Sequence, residues 1–106
     1  MNQVSSSPSV LISIDGEMSV FTIRDIATRL LEPLSNGVGM EIDLTGVTEI
    51  DSAGLQLMIA VKKMASDHEL PLRFVGHSSS VIRILDLCDL VGFFGDPVFI
   101  QRGAVS

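Results

Sequence analysis

Runs of branched apolar residues alternate along this chain with longer segments of helical period. Val10-Leu11-Ile12-Ser13-Ile14 is rich in branched side chains and leads into Asp15-Gly16, a strong short hairpin signal, then into Glu17-Met18-Ser19-Val20. Two antiparallel strands are therefore expected to open the fold. Thr22 stands at a cap position with Asp25 three residues on, and Ile23, Ile26, Ala27, Leu30, Leu31 and Leu34 recur at i, i+3, i+4, i+7 spacing. This first helix should end in a distorted turn. Pro33 removes the hydrogen bond to the Arg29 carbonyl, and Asn36-Gly37 supplies the stop.

Met40-Glu41-Ile42-Asp43-Leu44 alternates apolar and polar residues, as a strand with one buried face does. Residues 52–66 form a long helix on the same reading. Leu55, Met58, Ile59, Val61 and Ala65 make a broad apolar face, with Gln56, Lys63 and Asp67 on the polar stripe. Pro71-Leu72-Arg73-Phe74-Val75 reads as the next strand. Ser78, Ser79 and Ser80 then offer caps for a third helix carrying Val81, Ile84, Leu85 and Cys88 inward. Asp96-Pro97 turns into a last short strand at 98–100.

The expected order is β-β-α-β-α-β-α-β, an α/β fold with a mixed sheet: a hairpin, then strands joined through helices. Right-handed crossovers make the strands around Ile42 and Phe74 parallel. Their C-terminal edge holds the start of the second helix and the His77-Ser78-Ser79 turn, so Thr45, Asp51, Ser52 and Ser78 are candidates for one surface patch.

The 106 residues fit one domain, 46% hydrophobic and 19% charged, without a run long enough to span a membrane. Residues 1–9 and 102–106 read as tails around a domain at 10–101. The first nine are polar and serine-rich and do not resemble a secretory signal, so a cytoplasmic location without membrane insertion is expected. The net charge of -6 argues against a nucleic-acid partner, which requires clustered Lys and Arg. A lone cysteine, Cys88, excludes an internal disulfide, and its apolar neighbours suggest a core position. His68 and His77 lack a ligand-rich neighbourhood, so no metal or other cofactor is expected.

The chemistry concentrates in Ile50-Asp51-Ser52-Ala53-Gly54-Leu55, where an apolar segment turns directly into a helix. Unpaired backbone N–H groups and the positive end of the helix dipole favour an oxyanion or a phosphate there. Asp51 or Ser52 could equally serve as an N-cap, a role worth about 1 kcal/mol, and the two roles are compatible. Gly54 in the first turn costs about 1 kcal/mol relative to alanine, which points to close approach of another surface.

Catalytic readings fail on residue type. The nucleophile elbow G-x-S-x-G needs glycine two residues before the serine, where this chain has Ile50. A phosphoaspartate receiver built on Asp51 would need an acidic magnesium pair and a late lysine, yet no lysine follows Lys63. The G-x-x-x-x-G-K-[ST] loop of nucleotide hydrolases is absent. An enzyme is therefore not expected.

Asp43-Leu44-Thr45-Gly46-Val47 followed by Asp51-Ser52-Ala53-Gly54-Leu55 resembles the core of the STAS domain family of bacterial anti-sigma factor antagonists, roughly D-L-S-x-V-x-x-x-D-S-x-G-L. The resemblance extends from Gly16-Glu17-Met18 to Gly92-Phe93-Phe94. It implies a STAS-like fold and a binding module in which Ser52 is the phosphoacceptor. A partner serine kinase of the anti-sigma type would dock over Ser52 and the exposed face of the second helix. That surface would take in Asp43, Thr45, Asp51, Ala53, Gly54 and Gln56. Phosphorylation would then release the complex, since a phosphoserine carries about -1.5 to -2 charges beside Asp51, Glu49 and Asp43. The helix N-terminus is expected to accommodate the phosphate locally. Family members often carry an acidic residue where this chain has Ser19, and its end motifs also look like those of STAS proteins in chemotaxis-type signalling, so the circuit is either of these. The alternative is a non-switching subunit of a larger assembly such as a lipid-transport system, with Ser52 only capping.

Overall fold

The computed structural model describes residues 9–88. Ser9, expected in the N-terminal tail, opens the first strand, while the expected strand at 98–100, residues 1–8 and 102–106 of the expected tails and Gly92-Phe93-Phe94 lie outside the described residues. Within them run β1 (Ser9–Ser13), β2 (Gly16–Met18), α1 (Ile23–Ser35), β3 (Gly39–Asp43), β4 (Val47–Ile50), α2 (Ser52–Asp67), β5 (Leu72–Val75) and α3 (Ser79–Leu87). The α/β class and the three helices are as expected; the strand pairing differs.

The opening pair does not form a hairpin. β1 pairs with β3 and β3 with β5, while β2 pairs with β4, and every one of these pairings is parallel. Asp15-Gly16 bends the strand and lets it run on in the same direction. Gly16 takes φ +87° at the point where the register with β4 shifts, between Gly16 and Glu17. A left-handed residue of this kind suits a bulge as well as a tight turn, so the local signal was correct and its long-range meaning was not. The Gly16 amide donates to the Gly46 carbonyl at 2.9 Å and the Ile14 amide to the Asp43 carbonyl at 3.0 Å, stitching the β1-to-β2 bend to the β3-to-β4 bend beside it.

β4 was not expected. It is four residues long with two exposed polar positions, Thr48 and Glu49, too short for an alternation to register. β2 also stops sooner than expected: Ser19 leaves the strand, and the Thr22 amide donates back to the Ser19 carbonyl at 3.0 Å.

Met40 and Ile42 on one face of β3 and Leu44 just past its end, with Phe74 from β5, meet the buried sides of the helices. α1 buries Ile26, Leu30 and Leu34, with Ile23, Ala27 and Leu31 partly covered, which is the stripe its period implied. Pro33 does sit in its last turn. The chain still closes with two bonds of a Schellman motif, Val38 N–H to Pro33 O and Gly37 N–H to Leu34 O. Thr22 occupies the N-cap position, but its side chain does not cap. Its hydroxyl accepts from the Ser19 amide at 3.0 Å and donates to the Glu17 carbonyl at 2.8 Å, binding the preceding loop instead.

α2 buries Leu55, Leu57, Met58, Val61 and Ala65 and runs one residue beyond the expected end. α3 is capped by Ser78, whose hydroxyl accepts from the Val81 amide at 3.3 Å, and buries Val81 and Leu85. Cys88 corrects the expectation of a core cysteine. The helix ends at Leu87, Cys88 becomes its C-cap, and its side chain is exposed.

Candidate functional site

α2 begins where β4 ends, and one residue makes the junction. Asp51 is in extended backbone conformation and is the N-cap: its Oδ1 accepts from the amides of Ala53 at 2.8 Å and Gly54 at 3.2 Å. Its Oδ2 accepts from the Val20 amide at 3.0 Å, 31 residues away, and its own amide donates to the Met18 carbonyl at 3.2 Å. The Val20 amide above all, then those of Gly54 and Ala53, hold the Asp51 carboxyl below the ordinary aspartate range.

Capping therefore belongs to Asp51, and Ser52 is the first residue of the helix. Its side chain is exposed, and no hydrogen bond to its hydroxyl forms among the described residues. The alternative left open by the residues, that Ser52 itself caps, is thereby excluded. The same bonds bear on the phosphate site: two of the helix-terminal donors, the Ala53 and Gly54 amides, are already held by Asp51.

Gly54 is buried, and the close approach inferred from its presence is by the chain's own strand: a Cβ there would lie 2.5 Å from the Met18 carbonyl oxygen and 2.8 Å from Ile50 Cγ1. Its place is under the surface, where it lets β2 and its loop settle over the helix start; it offers no side-chain contact to a partner. Ala53 is half-buried. Gln56, one turn beyond Ser52 on the same face of α2, is exposed.

Asp43 and Thr45 are not beside Ser52. They form the turn between β3 and β4, where Asp43 Oδ1 accepts from both the Thr45 amide at 2.9 Å and the Thr45 hydroxyl at 2.6 Å. These bonds, the hydroxyl first, hold Asp43 below the ordinary aspartate range. The whole of β4 separates this turn from Ser52, roughly 10 Å of extended chain. Ser78 does not join the serine patch as expected either. The start of α3 docks on the middle of β4, where the Ser80 hydroxyl donates to the Thr48 carbonyl at 2.7 Å.

The acidic neighbours of Ser52 are thus Asp51 and Glu49, with Glu17 opposite Glu49 in the β2–β4 register. Two further residues escaped the sequence reading. Val20 and Phe21, in the loop whose backbone is bonded to Asp51, are 64% and 87% exposed. Their signal was an apolar pair out of step with both the strand before and the helix after. Among the described residues no group of three or more His, Cys, Asp or Glu side chains could hold a metal ion, and no helix is long and apolar enough to cross a membrane.

No curated protein sequence matches this chain. Among solved structures it is similar to the anti-sigma factor antagonist SpoIIAA in its unphosphorylated form, with a TM-score of 0.70 over 97% of this chain and 90% of that one. Identity between the two is 14%, so the likeness is one of fold. The STAS domain family matches residues 2–102, nearly the whole sequence and all of the described structure, and the chain belongs to that family.

Proposed function

We propose that this chain is a protein-binding regulatory module of the anti-sigma factor antagonist type, switched by phosphorylation of Ser52 by a partner serine kinase, in a bacterial sigma-factor or chemotaxis-type circuit in the cytoplasm. The observation that carries the proposal is the division of labour at the start of α2. Asp51 satisfies the helix and the Val20 loop, leaving the Ser52 hydroxyl exposed on a rigid element. The partner brings ATP and the catalytic base. Ser52 Oγ attacks the γ-phosphorus, the bond to ADP breaks, and the hydroxyl proton passes to the base. The chain acts as substrate and ligand and catalyses nothing itself.

Release follows from electrostatics. Phosphorylation adds about -1.5 to -2 charges at a position that follows Glu49 and Asp51 in the chain, with the Ala53 and Gly54 amides already taken. With those two helix-terminal amides held by Asp51, the added charge is met mainly by the partner or by water. Binding of the unmodified chain to the kinase, measured by calorimetry, should be retained by Ser52→Ala and weakened at least tenfold by Ser52→Asp. Equal affinity for both variants would refute the switch.

A further inference from the structure

We propose that Val20 and Phe21 form the anchor by which the kinase acting on Ser52 recognises this chain, and that the kinase presents an apolar pocket edged by cationic side chains to receive them. The inference rests on the phosphoswitch reading and names the partner surface it requires.

Phe21 is the most exposed large apolar side chain among the described residues, at 87%, and Val20 beside it stands at 64%. Two such neighbours on a loop would ordinarily turn inward or be replaced by polar residues. Here the loop cannot turn them inward, because it is locked from beneath. Ser19 is buried, its hydroxyl accepting from the Phe21 amide at 3.1 Å and donating to Glu17 Oε1 at 3.2 Å. The Thr22 hydroxyl bonds the Ser19 amide and the Glu17 carbonyl. The Val20 amide is held by the carboxylate that caps the Ser52 helix. The apolar pair is thus preorganised and continuous with the phosphoacceptor. An exposed aromatic on a rigid loop has the features of an interface hot spot, since it gains buried area without losing loop entropy.

Charge selects the occupant. Glu17 and Glu49 stand opposite each other on adjacent strands next to this loop, at a backbone spacing of roughly 4.8 Å, and of the two Glu49 also lines a cleft with Arg83 of α3. The chain as a whole carries -6. Like charges so placed favour a cationic counterpart and disfavour a second copy of this chain, which would bring the same carboxylates.

The test follows Ser52 phosphorylation, resolved by peptide mass spectrometry, in an extract of the native cells supplied with ATP and increasing amounts of purified chain. Ser52→Ala serves as the blank. Phe21→Ser should raise the apparent KM about tenfold or more and leave the maximal rate unchanged, and Val20→Ser should do so by a smaller factor. Both side chains are exposed, so the thermal midpoints should match the parent's. Phosphorylation of Phe21→Ser with the parent's KM would overturn the anchor and leave the switch standing. Absence of phosphate on Ser52 of the parent would overturn the switch and the anchor with it. Sedimentation showing a parent dimer that Phe21→Ser dissolves would assign the loop to self-association and also overturn the proposal.

Discussion

Asp51 and Gly54 make the serine presentable, and each can be tested singly. Asp51 is held ionised in the folded chain by three amides, so its folded pKa lies below its unfolded one. Its contribution to stability is complete above the unfolded value and is lost as pH falls through the folded value. In thermal melts from neutral pH into the acid range, the gap between the parent and Asp51→Asn should be widest near neutrality and close as the carboxyl protonates. A gap independent of pH would contradict the charge-assisted bonds. Gly54→Ala places a methyl against the Met18 carbonyl, an atom that cannot rotate away, and should cost about 1–3 kcal/mol in urea unfolding. Both residues were legible in the sequence because their types are scarce in other roles at a helix start. The bond from Val20 to Asp51 was not, since nothing local relates positions 31 residues apart.

Among the elements, helices were read more faithfully than strands. A helix satisfies its backbone within itself, so the period of Ile26, Leu30 and Leu34 already contains its answer. A strand needs a partner that the local sequence does not name. Asp15-Gly16 correctly marked a left-handed residue, yet the chain there continues in its original direction, because β3 and β4 lie alongside to receive it. The misplacement of Asp43 and Thr45 has the same origin: an unrecognised β4 lies between them and Ser52. One element ending still carries strain. α2 closes with Leu70 N–H to Ala65 O and Glu69 N–H to Ser66 O around Glu69, which takes φ +56°. Glu69→Gly should relieve that conformation and stabilise the chain by up to about 1 kcal/mol, read as a higher urea midpoint. A lower midpoint would show that the glutamate side chain contributes more than its backbone costs.

For the molecule as a whole, phosphorylation is expected to switch charge without changing the fold. Ser52 is exposed and supports no other described residue, so Ser52→Asp should keep the parent's circular dichroism spectrum and unfold within a few degrees of it. Global loss of structure would contradict this. Family membership and fold are shown; in the proposed function, the signal lies in whether the surface at Ser52 bears a phosphate. That claim is tested most directly by site-resolved mass spectrometry of the chain recovered from its native cells. A fraction of the chains is expected to carry phosphate on Ser52. Finding Ser52 unmodified under all growth conditions, or phosphate placed consistently on another residue, would contradict it.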